Sequence, residues 1–438
     1  MNPISFCFAA ILACLVLPNV KCDPNEDWGY VDVRPGAHMF WWLYSTTADP
    51  STNPPLIIWL QGGPGGSSVG FGNFAEIGPL DVNLKNRSTT WLQKASLLFI
   101  DNPVGSGYSY VDNDDAYTTN VTGIANDLMT LLKTFLQKQP SFQDVPLWIF
   151  TESYGGKMTA AFSQKLVQAI NSGEIKANFK GCALGDSWIS PIDSLLSWGP
   201  YLYHTSLVDK PGLSQVNAGA QKAKQLLDEG QYAEATTEFG ILEDIIEEVT
   251  DGVNVYNILQ FDQEGLQSRK HHKQGFKLFD RLYNRHVGVY YANDDLSELM
   301  NGPIKKKLGI PENVTWGGQS ENVFAKQAVD FMKSVQDIVD DLISNTSLEV
   351  VVYSGQLDLI VDSIGTEAWV NNLKWSGLST WNATQWQSVK VNEQRTGFYK
   401  TFKNFSFFWI LKAGHMVPAD AGETALKMVE MVIAKGKL

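Results

Sequence analysis

The stretch LWIFTESYGGKMTAAF, Leu147 to Phe162, decides the fold. Its first half is a short apolar run with β-branched and aromatic members, which reads as a buried strand. Met158, Ala161, Phe162, Leu166, Ala169 and Ile170 then recur with a period near 3.6, which reads as a helix. Ser153 sits at the corner between them, with Gly155 and Gly156 just behind. A strand that turns at once into a helix on a small, polar corner is the shape of a nucleophile elbow, G-x-S-x-G. Here the pattern is T-E-S-Y-G, with Thr151 in the place of the first glycine. A serine at a helix start is also a common cap, so this stretch alone leaves nucleophile and cap both open.

Other runs of the same kind are HMFWWLYS, LIIWL, SLLFID, LEVVVYS and FSFFWIL. Helical patterns lie between or after them, at Gly123 to Lys138 and Gly422 to Ala434. Strands alternating with helices predict an α/β fold, a mostly parallel sheet covered on both faces. From about Pro191 to Trp316 the strand pattern lapses, and QKAKQLLDEG and ILEDIIEEV look helical. That region is expected to be a helical insertion, a cap over the C-terminal edge of the sheet. The expected organisation is one catalytic domain over 23–438, with the insertion at about 191–316.

A serine nucleophile needs a base, and the base needs an acid to orient it. On this architecture both follow the serine in chain order, in loops after later strands. GQLD after LEVVVYS places Asp358 there, and KAGHMVPAD after FSFFWIL places His415 there. Among six histidines, His38 falls in an early strand and His204, His271, His272 and His286 fall in the insertion. Asp362 is the rival acid, further past its strand. The glycine-rich loop after LIIWL, in LIIWLQGGPGGSS, offers an oxyanion hole: the backbone N–H of Gly63, joined by that of Tyr154. It lacks the G-K-[ST] ending of a phosphate-binding loop.

The bulk composition limits the partners. The formal charge of −13 argues against nucleic acid or an anionic membrane surface as partner. The basic triplet Lys305 to Lys307 and the KHHK loop within SRKHHKQGFK read as solvated surface, and the KHHK loop is a place where the chain could be cut during maturation. The apolar run Ile4 to Leu17, followed by Pro18, Val20 and Cys22, resembles a secretory signal over 1–22, although its start lacks the usual positive charge. The run is short for a membrane span. Cys7, Cys14 and Cys22 fall within that segment, so the mature chain would keep only Cys182, a buried thiol in KGCALGD, and could form no internal disulfide. Sequons at Asn86, Asn120, Asn313, Asn345, Asn382 and Asn404 agree with a secretory route, secreted or lysosomal. No H-E-x-x-H or cysteine cluster points to a metal, and no cofactor is expected.

WLQGGPGGSS, FAEIGPL, IDNPVGSGYSY, TESYGG, YSGQLDLIVD and GHMVPAD resemble, in the same order, the motifs of the serine carboxypeptidase family. The resemblance runs through nearly the whole mature chain. It implies an α/β-hydrolase fold and removal of single residues from the C-termini of peptides or proteins. It also implies Ser153 as nucleophile, Asp358 as acid, His415 as base, and Gly63 and Tyr154 as oxyanion donors. The family binds the substrate's terminal carboxylate with a Trp, an Asn and two Glu, which fall on Trp59, Gln61, Glu76 and Glu152. Gln61 stands where the family has Asn, and Gly66 where it has a cysteine. If the two glutamates approach, one keeps its proton and can donate to the substrate carboxylate, so binding is expected to weaken from acidic to neutral pH. An acyltransferase of the same fold, or a silent binding or protective protein, would carry a similar frame. Thr151 at the strained corner is the one feature that favours the silent reading.

Overall fold

A computed structural model describes residues 26–261 and 294–436. The expected signal at 1–22 and the KHHK loop lie outside them. One sheet organises the described chain: β1 (Glu26–Arg34), β2 (Ala37–Tyr44), β3 (Leu56–Leu60), β4 (Ser96–Ile100), β5 (Tyr110–Val111), β6 (Pro146–Glu152), β7 (Asn178–Gly185), β8 (Glu349–Gly355), β9 (Gln387–Val391), β10 (Gln394–Phe402) and β11 (Phe405–Ile410). The strand order is β1-β2-β4-β3-β6-β7-β8-β11-β10-β9, with β5 paired to β2. Neighbours from β4 through to β11 run parallel, while the pairs at both edges are antiparallel. This is the mostly parallel α/β sheet that the alternation of runs predicts, in the α/β-hydrolase arrangement that the family resemblance implies.

The central strands are apolar throughout because both faces are covered. Leu56, Ile58 and Leu60 of β3, with Leu147 and Ile149 of β6, join the core on one face. Ile57, Trp59, Trp148 and Phe150, the residues between, join the core on the other. On the first face lie α1 (Val121–Lys138) and α2 (Gly155–Asn171), through side chains such as Leu128, Leu131, Met158 and Phe162. The C-terminal helix Gly422–Lys435 covers the second with Met428, Val429 and Val432.

Between β7 and β8 the chain forms α3 (Pro191–His204), α4 (Lys210–Asp228), α5 (Tyr232–Thr250), α6 (Glu321–Phe331) and α7 (Gln336–Asn345). Helical structure therefore runs on past Trp316. The extension is physical: α7 packs against α2 and β8, so it belongs to the layer that covers the sheet. Each of β3, β6, β8 and β11 ends at the same edge, in a continuous register that includes Glu152↔Gly185, Gly185↔Tyr353 and Tyr353↔Phe408. In open α/β sheets that carboxyl edge is where sites form.

Candidate active site

Ser153 lies between the end of β6 and the start of α2, with φ +61°. A non-glycine residue in the left-handed region is strained and needs outside support. Its N–H donates to the Gly185 carbonyl at 3.0 Å, and its own carbonyl accepts from Gly156 N–H at 2.9 Å and Trp188 N–H at 3.0 Å. Room for the corner comes from a different loop. A Cβ on Gly62 would lie 2.4 Å from Ser153 Cβ and 2.9 Å from Tyr154 N. Thr151 is accommodated: its hydroxyl donates to Leu60 O at 2.7 Å, and Gly155 has no Cβ where Thr151 Oγ1 would meet it at 1.9 Å.

The loops after β8 and β11 bring Asp358 and His415 together. His415 Nδ1 and Asp358 Oδ2 are 2.8 Å apart, and the residues are 2% and 0% exposed. Asp358 Oδ1 also accepts Val361 N–H at 3.1 Å. With Nδ1–H donating to Asp358, Nε2 of the neutral imidazole carries a lone pair. That Nε2 is buried and has no hydrogen-bond partner among the described residues. The rival acid, Asp362, is committed elsewhere: it caps the helix Ser363–Asn371 through Ile364 N–H and Gly365 N–H, at 3.0 and 2.9 Å, and accepts from Ser197 Oγ at 2.6 Å.

Gly63 and Tyr154 occupy adjoining backbone, since the space beside Gly62 is bounded by Tyr154 N. Neither Gly63 N–H nor Tyr154 N–H donates to a backbone acceptor among the described residues. Two donors left open beside a serine corner can receive an oxyanion.

Trp59, Gln61, Glu76 and Glu152 form one buried network. Trp59 Nε1 donates to Gln61 Oε1 at 2.7 Å, and Gln61 Nε2 donates to Glu152 Oε1 at 2.8 Å. The longer amide thus spans indole and carboxyl while its N–H is tied to Ser68 Oγ at 2.9 Å. Glu76 lies against Glu152, and burial holds its carboxyl up at about 7, against a usual 4.5. Burial, then the charge of Glu76, push Glu152 well above the usual range. Two carboxyls buried side by side disfavour ionising both at once. Arg87 donates to the carbonyls of Phe74, Gly78 and Leu80, which ties the helical segment Ser68–Ile77 that carries Glu76 to the turn after it.

Residues 18–435 match the family model described as serine carboxypeptidase. The chain belongs to the serine carboxypeptidase family. Among curated relatives it is 54% identical to the retinoid-inducible serine carboxypeptidase of Rattus norvegicus, over 94% of this chain and 92% of that one. It is 43% identical to serine carboxypeptidase-like 51 of Arabidopsis thaliana, over the same shares. Among solved structures it resembles the prohormone-processing carboxypeptidase Kex1(delta)p of Saccharomyces cerevisiae, at TM-score 0.78 and 21% identity, covering 94% of this chain and 91% of that one. That likeness shows the fold.

In this serine carboxypeptidase the inserted chain reaches into the site at two places that sequence reasoning missed. The segment from Val253 to Gln260 stitches the acid and histidine loops: Tyr256 O accepts His415 N–H at 2.7 Å, and Val255 O accepts the N–H groups of Leu359 and Ile360, both at 3.0 Å. Residues Trp316 to Ser320 brace the glycine loop, with Ser67 N–H donating to Gly318 O at 3.0 Å and Ser320 N–H to Gly65 O at 2.9 Å. Trp316 Nε1 adds a bond to Ser67 Oγ at 2.9 Å. Neither segment has a periodicity that a pattern search detects. Asp186, which closes β7, was also missed; its signal was an acid at the end of the apolar run KGCALGD.

Among the sequons, Asn86, Asn120, Asn313, Asn345 and Asn382 are exposed. Asn404 is partly buried, and its Nδ2 donates to the carbonyls of Ile343, Thr346 and Leu348. Cys182 is buried and free, its thiol pushed up to about 12 by burial. No helix among the described residues is long and apolar enough to cross a membrane.

Proposed function

We propose that this enzyme releases C-terminal residues from peptides through an acyl-enzyme on Ser153. His415 Nε2 takes the hydroxyl proton, and Ser153 Oγ attacks the last peptide carbonyl. The carbonyl oxygen becomes an oxyanion between Gly63 N–H and Tyr154 N–H. His415 then gives its proton to the leaving amine, and water, activated by the same nitrogen, releases the peptide. Asp358 holds the imidazole with Nδ1 protonated and stabilises the imidazolium. The observation that carries the reading is the buried 2.8 Å pair of His415 and Asp358, whose open Nε2 belongs to the sheet edge that bears the strained Ser153.

The network of Trp59, Gln61, Glu76 and Glu152 reads the terminal carboxylate. Its shared proton lets a neutral carboxyl donate to the substrate, and loss of that proton would set like charges face to face. Binding is therefore favoured in acid. Such a preference suits a lysosomal or secreted enzyme, as do the apolar N-terminal run and the five exposed sequons.

Labelling with a fluorophosphonate tests the nucleophile directly. The adduct is expected on the peptide that contains Ser153, and labelling is expected to vanish in Ser153→Ala and fall steeply in His415→Ala. An adduct on another serine, or labelling that survives Ser153→Ala, would sink the assignment.

A further inference from the structure

Asp358 is not the only carboxyl where β7 and β8 end. Asp186 follows β7 directly, is 1% exposed, and is fixed opposite β8 by its N–H, which donates to Tyr353 O at 2.9 Å. Its Oδ1 accepts Gly355 N–H at 2.7 Å. Its Oδ2 is buried and has no N–H or O–H donor among the described residues. Side chains within hydrogen-bonding reach of this carboxyl include those of Ser354 and Asp358. Other titratable groups that face it are Glu152 from the end of β6 and Tyr353 of β8.

Two carboxyls in contact in a buried site cannot both be ionised at ordinary pH. The donors decide which one keeps the proton. Asp358 receives His415 Nδ1–H on one oxygen and Val361 N–H on the other. Asp186 has one backbone donor, on Oδ1, and the neighbouring Ser354 hydroxyl is engaged with Ser363 Oγ at 2.8 Å, which in turn donates to Gly355 O. The charge therefore rests on Asp358.

We propose that Asp186 is a positioning residue, a neutral carboxylic acid whose O–H donates to Asp358 and holds that carboxylate against His415 Nδ1–H. The inference rests on the reading of Asp358 and His415 given above. Burial, and then the charge of Asp358, raise Asp186 well above the usual carboxyl range, in keeping with it. A neutral donor steadies the acid without adding a second negative charge beside the imidazole.

The test compares wild type, Asp186→Asn and Asp186→Ala, each first shown to be folded by its thermal melt. The infrared difference between wild type and Asp186→Asn reads the proton without reference to activity. The expected result is that wild type shows one additional protonated-carboxyl stretch; an additional carboxylate stretch overturns the proposal. Kinetics follow on an N-blocked amino-acid ester, which offers no terminal carboxylate to Glu76 and Glu152. Asp186→Ala is expected to lower kcat about tenfold, as loss of one hydrogen bond to a charged group does, with little change in KM. Asp186→Asn keeps a donor and no charge, so it is expected to recover most of that loss and to leave the acidic limb of the pH profile in place. Equal losses in both variants, full activity in Asp186→Ala, or a limb moved by about half a pH unit in Asp186→Asn would each overturn it. Should Ser153→Ala hydrolyse the ester as fast as wild type, the reading of the reaction fails, while the infrared result still decides where the proton lies.

Discussion

Gly62 abuts Ser153 so closely that a Cβ on the glycine would lie 2.4 Å from the serine's own Cβ. The same Cβ would lie 2.8 Å from Glu152 O and 2.9 Å from Tyr154 N, so the corner has nowhere to move without breaking its own backbone. Gly62→Ala is thus expected to displace both the hydroxyl and an oxyanion donor. A displacement of about 1 Å costs on the order of a hundredfold in rate. Peptide cleavage by the folded variant is expected to fall by at least that much, and activity within tenfold of wild type would show that Gly62 is not what lets the corner form.

In the proposed reading, Glu76 and Glu152 tie substrate binding to pH. Burial raises Glu76 to about 7, and burial with the charge of Glu76 raises Glu152. As pH climbs through about 7 the shared proton is lost and the substrate carboxylate meets a repelling pair. KM for an N-blocked dipeptide is expected to rise several-fold between mildly acidic and mildly alkaline pH, with a smaller change in kcat. In Glu76→Gln the amide keeps a donor at every pH, so the rise is expected to flatten. An unchanged KM profile in that variant would show that the glutamates do not read the carboxylate.

The same buried acids set how stability depends on pH. Burial holds Glu76 at about 7 against 4.5, Asp101 at about 6 against 3.8, and Asp362 at about 7 against 3.8. A carboxyl with a raised folded pKa binds its proton more tightly in the native state. Its contribution is full below the unfolded pKa and is lost as pH rises through the folded one. The melting temperature is therefore expected to fall from about pH 5 to about pH 7.5, and Glu76→Gln to shrink that fall. A melting temperature that rises over this interval would contradict the assignment of protons in the core.

Legibility in the sequence followed burial. The runs that became β3, β4, β6, β8 and β11 stand out because strands covered on both faces are apolar throughout. In β1, EDWGYVDVR packs on one side only, and in β10, QRTGFYKTF lies near the sheet edge, so polar residues dilute both patterns. NFKGCALG, which became β7, mixes glycines into its run, and with that strand unnoticed the acid at its end, Asp186, went unnoticed too. Ser153, Asp358 and His415 were legible because each follows an apolar run. The span of Gln61 between Trp59 and Glu152 was not, because side-chain reach depends on how two strands and the loop after one of them converge.

Asn404 fits the sequon rule but is engaged in the fold. Its Nδ2 donates to three carbonyls, one in the last turn of α7 and two in the loop before β8, at 3.0 to 3.4 Å. A glycan on that nitrogen would displace these bonds. Intact-glycopeptide mass spectrometry is expected to find sugar among the exposed sequons and none on Asn404. Asn404→Ala is expected to cost about 1–3 kcal/mol in unfolding free energy, the penalty for leaving buried carbonyls unmatched. A fully occupied Asn404 in folded enzyme would refute this.

The most direct test of the account is release of the C-terminal residue from an N-blocked dipeptide by wild type and by Ser153→Ala, at mildly acidic and at neutral pH. The account predicts release by wild type alone, faster in acid. Equal release by both proteins, or release by wild type that is faster at neutral pH, would contradict it.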